Sequence, residues 1–251
     1  MDILTILLLS LGGFFAAFID STVGGGGLIS VPALLSLGLP VNFALGTNKL
    51  AASMGSFMSV VSFWRAGKIN KKTAGGLFPF SFFGSALGAF AVYMLPEQLM
   101  KYIIVILLSV IAIYTFIRKD FGAKSAVKKT GFFALTVSII MAWFLGFYDG
   151  FFGPGTGSFL IFGFLFLGYD FVSAAGNAKV LNFASGIGAL ISFAISHSIL
   201  WSYGLIMGAA MIAGAYVGSQ YAIKKGVSYI RPLFLIITSL LILKQIISII
   251  Y

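Results

Sequence analysis

Cysteine does not occur in the 251 residues, histidine occurs once and acidic residues number six. Without cysteine there is no disulfide, thiolate nucleophile or thiolate metal site. One histidine and widely separated carboxylates cannot furnish a metal-ligand cluster either. Charged residues make up 9% of the chain, against about a quarter in soluble domains, which leaves almost nothing for a separate soluble domain. The alternating apolar and polar pattern of an outer-membrane barrel strand is missing. The string Gly153-Pro154-Gly155-Thr156-Gly157 lacks the Lys-Ser/Thr ending and flanking strand of a phosphate-binding loop. No enzymatic signature remains, no cofactor is expected, and any pumping must draw on a gradient or another subunit.

The surplus of base, +10 at neutral pH, is scattered in short clusters between apolar runs. That is the pattern of topology determinants rather than of a nucleic-acid surface.

What is present is hydrophobic: 60% of residues, with a mean hydropathy of +1.08. Apolar segments fall at about 3–19, 27–39, 43–64, 73–95, 99–117, 131–148, 156–168, 171–195, 202–223 and 232–250. Most are long enough to cross a hydrocarbon core of about 30 Å. A bilayer offers the backbone no hydrogen-bond partners, so they must be helices, and the fold class is an all-α polytopic membrane protein. The first segment has no basic leader and no small-residue cleavage site, and reads as a retained helix. The segments 27–39 and 156–168 are too short to span alone.

Basic loops carrying Arg65, Lys68, Lys71 and Lys72, then Arg118 to Lys129, then Lys224, Lys225 and Arg231, are expected on the cytoplasmic side. The near-neutral loops around Pro96 and His197 suit the other side. Returning the chain to the basic side requires the short segments to cross as well, giving five crossings per half with both termini outside. An odd number per half inverts the second copy, so the expected architecture is a five-plus-five inverted repeat. Residues 1–118 form the first repeat, 119–130 a basic cytoplasmic linker and 131–251 the second. The competing count is four plus four with re-entrant hairpins.

The repeat is visible in the letters. Asp20-Ser-Thr-Val-Gly-Gly-Gly-Gly27 is followed by Gly46-Thr47-Asn48-Lys49; Asp149-Gly-Phe-Phe-Gly-Pro-Gly-Thr-Gly157 is followed by Gly176-Asn177-Ala178-Lys179. The two Asp lie 129 positions apart and the two Lys 130. Such charges inside apolar segments normally face a cavity or a partner. Two arrangements satisfy them: each Asp neutralises the Lys of its own half, or Lys49 and Lys179 meet at a shared central site that attracts an anion. In the second case Asp20 and Asp149 cap the short helices, pair partly with the Lys or carry a coupling proton.

Gly24, Gly25, Gly26 and Gly27, and the proline-broken Gly153–Gly157, interrupt helices, and each interruption precedes a short helix. The N–H groups exposed there are an oxyanion site, with Gly24, Gly25, Gly26, Gly155, Thr156 and Gly157 the candidates; close helix packing is the structural alternative. Thr47, Asn48, Asn177, Asn182 and Ser185 lie on the helices bearing the Lys and can donate to anion oxygens. Asp170 reads as a helix cap, His197 as an external loop residue, and Trp64 and Trp201 as members of an aromatic belt.

The paired motifs, Gly24–Gly27 through Val31-Pro32, Leu39-Pro40, Ala44-Leu45-Gly46-Thr47-Asn48-Lys49-Leu50, Gly153–Gly157 and Ala178-Lys179-Val180-Leu181-Asn182-Phe183, give the chain a full-length resemblance to the TauE/SafE family of anion permeases. The resemblance implies a prokaryotic plasma-membrane permease for sulfite, sulfoacetate or other organosulfonates; the expected partners are a small anionic substrate, the lipid bilayer and a second copy in a homodimer. The second copy departs from the first, with Ile161 in place of Pro32 and no Thr-Asn pair before its Lys, so the half-sites are expected to be unequal. The rival readings are a cation or metal-ion permease using Asp20 and Asp149, and a non-transporting scaffold or sensor subunit.

Overall fold

The computed structural model describes residues 1–94, Pro96 and residues 131–226. These residues form eight helices and no strand: α1 (Ile3–Val23), α2 (Gly27–Ser36), α3 (Val41–Arg65), α4 (Lys71–Val92), α5 (Phe132–Phe151), α6 (Thr156–Phe166), α7 (Phe171–Ile195) and α8 (Trp201–Lys225). Five of them, α1, α4, α5, α7 and α8, are long and apolar enough to span a membrane. The segments expected over 99–117 and 232–250, the linker 119–130 and the C-terminus lie outside the described residues.

Helix ends follow polar chemistry more closely than hydropathy does. α1 runs four residues past its apolar segment and takes Asp20 into its last turn, ending at Gly24 with φ +79°. Gly153 takes the equivalent left-handed conformation beyond α5, at φ +92°. Only glycine adopts this region without strain, so both breaks are written into the chain. α3 is 25 residues long but unusually polar. It is buried along much of its length between neighbouring helices, where Thr47, Asn48, Lys49, Ser53, Ser56, Ser59 and Ser62 avoid lipid.

Packing pairs helices from opposite halves of the sequence. α1 lies along α8, where Gly214 meets Phe14 and Gly218 meets Phe18 and Ser21. α4 lies along α5, where Gly146 meets Ser81 and Gly150 meets Ser85. Within a bilayer there is no hydrophobic drive between helices, so small residues that let backbones touch supply the attraction. Ser81 and Ser85 also donate to the carbonyls of Leu181 and Ser185, fastening α4 to α7.

The same contacts give direction. α1, α3 and α8 run one way, since Leu50 faces Gly204 and Met54 faces Gly208 while the α1–α8 pairs advance together. α4, α5 and α7 run the other way: α3 meets α7 head to tail, with Gly46 against Phe193 and Gly176 against Phe63. Of these six, α1, α3 and α4 of the first half therefore run opposite to α5, α7 and α8 of the second, respectively. Arg65, Lys68, Lys71, Lys72, Lys224 and Lys225 end on one face, which the distribution of positive charge makes cytoplasmic. His197 sits exposed on the opposite face.

Candidate functional site

The two glycine-rich breaks touch each other. A Cβ on Gly157 would stand 3.0 Å from Gly24 Cα, and one on Gly27 3.0 Å from Pro154 Cα. Side chains at these positions would force the breaks apart. Ser158 Oγ donates to the Val23 carbonyl at 3.0 Å, and Tyr148 Oη donates to the Pro154 carbonyl at 2.8 Å. The Val23 carbonyl released by ending α1 is thus satisfied across the contact, and the Pro154 carbonyl from within its own half.

Beside this contact stand two ion pairs. Lys49 Nζ lies 2.8 Å from Asp149 Oδ2, with both side chains about 5% exposed. Lys179 Nζ lies 2.7 Å from Asp20 Oδ2, with the lysine side chain fully buried and the aspartate 22% exposed. The pairing is crossed: each Lys holds the Asp of the other half, whereas the sequence suggested either pairing within a half or two ammonium groups shared by one anion site. The cause is the contact between breaks, which carries the end of α1 to α7 and the end of α5 to α3. Gly153 and Gly157 leave room for the ammonium groups; a Cβ there would lie 3.0 Å from Lys49 Nζ and 3.5 Å from Lys179 Nζ, respectively. Instead of a net positive centre, the four charges form a balanced set.

A cavity of about 40 Å³ opens between them, bordered by Asp20, Lys49 and Asp149, the amides of Asn48 and Asn182, and the glycines of both breaks. It has room for about three water-sized groups. Lys179 stays behind Asp20, and Lys49 is the ammonium that reaches the wall.

The candidate residues divide. Gly25, Gly26, Gly155 and Gly157 line the cavity with Asn48 and Asn182. Gly24 is spent on the contact between breaks. Thr47 Oγ1 accepts the Leu200 N–H at 3.0 Å, tying α3 to the start of α8. Asn177 accepts the Asn70 N–H at 2.9 Å and donates to the Ser173 carbonyl at 2.7 Å, at the cytoplasmic end of α7. Thr156 Oγ1 donates to the Gly153 carbonyl at 2.7 Å, and Ser185 to that of Asn182 at 3.0 Å. Of the two aspartates, Asp20 caps its break, accepting the Gly26 N–H at 3.2 Å. α6 has no side-chain cap.

Three hydroxyls that the motifs do not single out, Ser30, Ser56 and Ser59, also face the cavity. Their signal was present as spacing: Asn48, Ala52, Gly55, Ser56 and Ser59 repeat at helical intervals on α3, a small and polar stripe beginning beside Lys49. Asn48 Oδ1 is buried with no hydrogen-bond partner among the described residues.

Asp170 caps α7 by accepting the Ser173 N–H at 3.0 Å. Burial pushes its carboxyl up, but the hydrogen bonds from Ser173 and the Lys68 charge outweigh burial and hold it below the ordinary carboxylate value. Trp64 and Trp201 are exposed at opposite faces, and Lys71 Nζ sits 4.6 Å over the Trp64 ring.

Residues 9–245 match the profile of the family described as sulfite exporter TauE/SafE. A probable membrane transporter protein of Sinorhizobium sp is 39% identical over 92% of this chain and 88% of its own length. One from Haemophilus influenzae is 36% identical over 98% and 95%, and the YfcA probable membrane transporter of Escherichia coli K12 is 34% identical over 90% and 84%. No solved structure gives a significant match. With the profile spanning nearly the whole chain and five spanning helices in place, the chain belongs to the sulfite exporter TauE/SafE family and is a multi-pass membrane transporter, not an enzyme.

Proposed function

We propose that the chain is a secondary transporter of small sulfur-containing oxyanions, with sulfite, sulfoacetate and small sulfonates as the substrate class, working by alternating access around the cavity between the crossed ion pairs. The observation that carries this reading is the cavity's composition. It combines one reachable ammonium, Lys49, with the amides of Asn48 and Asn182, the Ser59 hydroxyl and two glycine-rich breaks next to short helices. Planar or tetrahedral oxyanions are bound by such a set of convergent donors and one cation. The volume of about 40 Å³ favours sulfite over bulky sulfonates in this conformation.

Alternating access then moves α1, α2, α3 and α8 against α4, α5, α6 and α7, because those are the groups that pack together. The two ion pairs join these groups and are made or broken as the cavity changes sides. The rival cation permease is less well supported, since both carboxylates it would use are held by ammonium groups.

The test is uptake of labelled sulfite into proteoliposomes by the wild type and by Lys49→Ala, Lys179→Ala, Asp20→Asn and Asp149→Asn. Loss of flux in Lys49→Ala with normal membrane insertion is the expected result. Full sulfite flux in Lys49→Ala refutes the anion site. Inhibition by the Asp changes with indifference to the Lys changes supports the cation reading, and no flux under any imposed gradient supports a scaffold.

A further inference from the structure

An anion carrier needs positive charge where its substrate sits, yet here every ammonium is already matched. The charged lining of the cavity is Lys49, Asp149 and Asp20, and Lys179 behind it completes a set that sums to zero. An anion that simply joined this set would leave one negative charge uncompensated in a site with little water, at a cost no few hydrogen bonds recover. Something positive must enter with it.

The two carboxylates are not equally able to receive that charge. Asp20 is held by Lys179 at 2.7 Å, by the Gly26 N–H at 3.2 Å and by a long contact from Asn182 Nδ2 at 3.5 Å, so its ionised form keeps partners in any exchange on the far side of the cavity. Asp149 has Lys49 as its recorded partner among the described residues. Among the described residues, the helices around this turn of α5 bring no other charge to it. α4 presents Ser85 to Gly150, α6 contains no ionisable residue, the α7 lysine is engaged by Asp20, and the adjacent Tyr148 hydroxyl is turned to the Pro154 carbonyl. Lys49 shares the cavity wall with Asn48 and Asn182, whose Nδ2 groups are the amide atoms able to donate to anion oxygens.

We propose that a proton is co-transported with each anion, and that Asp149 is its binding site. An oxygen of the entering anion takes the place of Asp149 Oδ2 on Lys49 Nζ, and the released carboxylate accepts one proton from the side to which the cavity is open. The loaded site then holds Lys49 with the anion, neutral Asp149 and the undisturbed Lys179–Asp20 pair, again summing to zero for a singly charged anion. Apart from the O–H bond made on Asp149 at loading and broken at release, no covalent bond changes. On release the anion and the proton leave together, and Asp149 returns to Lys49. The inference rests on the anion reading above and adds the coupling ion and its residue.

Methanesulfonate, whose charge does not change with pH, is the probe that isolates protons carried by the protein. Wild-type proteoliposomes with an alkaline interior are expected to accumulate it about tenfold per unit of pH gradient, the ratio for one proton per anion. Asp149→Asn is expected to lose this accumulation while retaining slowed anion exchange, and Asp149→Glu is expected to restore part of it. If sulfite is exchanged and methanesulfonate is not, the proton uptake per sulfite is compared between wild type and Asp149→Asn at one pH, where the substrate's own protons contribute equally; a difference of one supports the assignment and equality overturns it. If Asp149→Asn does not insert, the wild type decides by itself, since initial uptake at fixed external pH must rise several-fold as the interior is made alkaline. Accumulation that ignores the pH gradient overturns the proton coupling and leaves anion transport standing. Absence of any anion exchange overturns both.

Discussion

The Lys49–Asp149 and Lys179–Asp20 pairs occupy equivalent places in the repeat, yet their surroundings have diverged. Lys49 reaches the cavity wall, its aspartate has one recorded partner, and a serine stripe continues below it on α3. Lys179 is fully buried, and its aspartate is held from three directions. A duplicated motif has thus become one adaptable pair and one fixed pair. The lesson is that symmetry in sequence locates a site, while the hydrogen-bond count around each copy assigns the work.

The sharpest way to break this comparison is to remove each lysine in turn. Lys179→Ala removes a fully buried ammonium and deprives the part-buried Asp20 of it, and is expected to cost about 3–5 kcal/mol, lowering the yield of folded protein and its melting temperature in detergent. Lys49→Ala should cost less if Asp149 takes the proton proposed above, and should abolish transport at temperatures where the protein remains folded. Equal melting temperatures for the two variants would remove the distinction between the pairs.

Next in size are the glycines beside the ammonium groups. Gly153→Ala adds a Cβ 3.0 Å from Lys49 Nζ at a φ of +92° and is expected to cost about 1–3 kcal/mol together with transport. Gly157→Ala, on helical backbone and 3.5 Å from Lys179 Nζ, should be milder unless the 3.0 Å approach to Gly24 Cα dominates. Thermal melts of the two proteins rank them.

The asparagines sharpen the contrast from the other direction. Asn177→Ala removes two buried hydrogen bonds and should destabilise by about 1–3 kcal/mol with the substrate KM unchanged. Asn48→Ala, which loses no recorded internal partner at Oδ1, should leave stability nearly unchanged and raise the KM for sulfite.

The smallest effect concerns the helices that bear the lysines. α7 begins on the capping carboxylate of Asp170, whereas α3 begins on Pro40 with no side-chain cap. Asp170→Ala should cost about 1 kcal/mol. Because this carboxyl is held below its ordinary value in the folded protein, its contribution is present at neutral pH and disappears as pH falls through that lowered value. The melting temperatures of wild type and Asp170→Ala should therefore converge in acid.

Much of this was legible in the chain. Apolar length gave the helices, glycine and proline gave the breaks, and charge inside apolar segments pointed to Asp20, Lys49, Asp149 and Lys179. Crossed pairing was not legible, because spacing allows Asp20 to meet Lys49 as readily as Lys179, and the choice depends on two breaks touching in space. Thr47 and Asn177 resemble binding residues in sequence but are spent on Leu200 and on Asn70 and Ser173. Ser56 and Ser59 escaped notice because serine in a membrane helix usually bonds its own backbone. α3 falls below the hydropathy of a spanning helix for the same reason that it matters: its polar face borders the cavity.

The crossed pairing also sets a condition on biogenesis. Asp20 leaves the ribosome 159 residues ahead of Lys179, an interval of roughly 8–30 s at ordinary translation rates. During it the nascent N-terminal half holds a carboxylate and an ammonium whose mates have not been made, and α1 and α4 lack α8 and α5 to lie against. Insertion must tolerate these orphans, so a chain released after the first half is a natural target for membrane quality-control proteases.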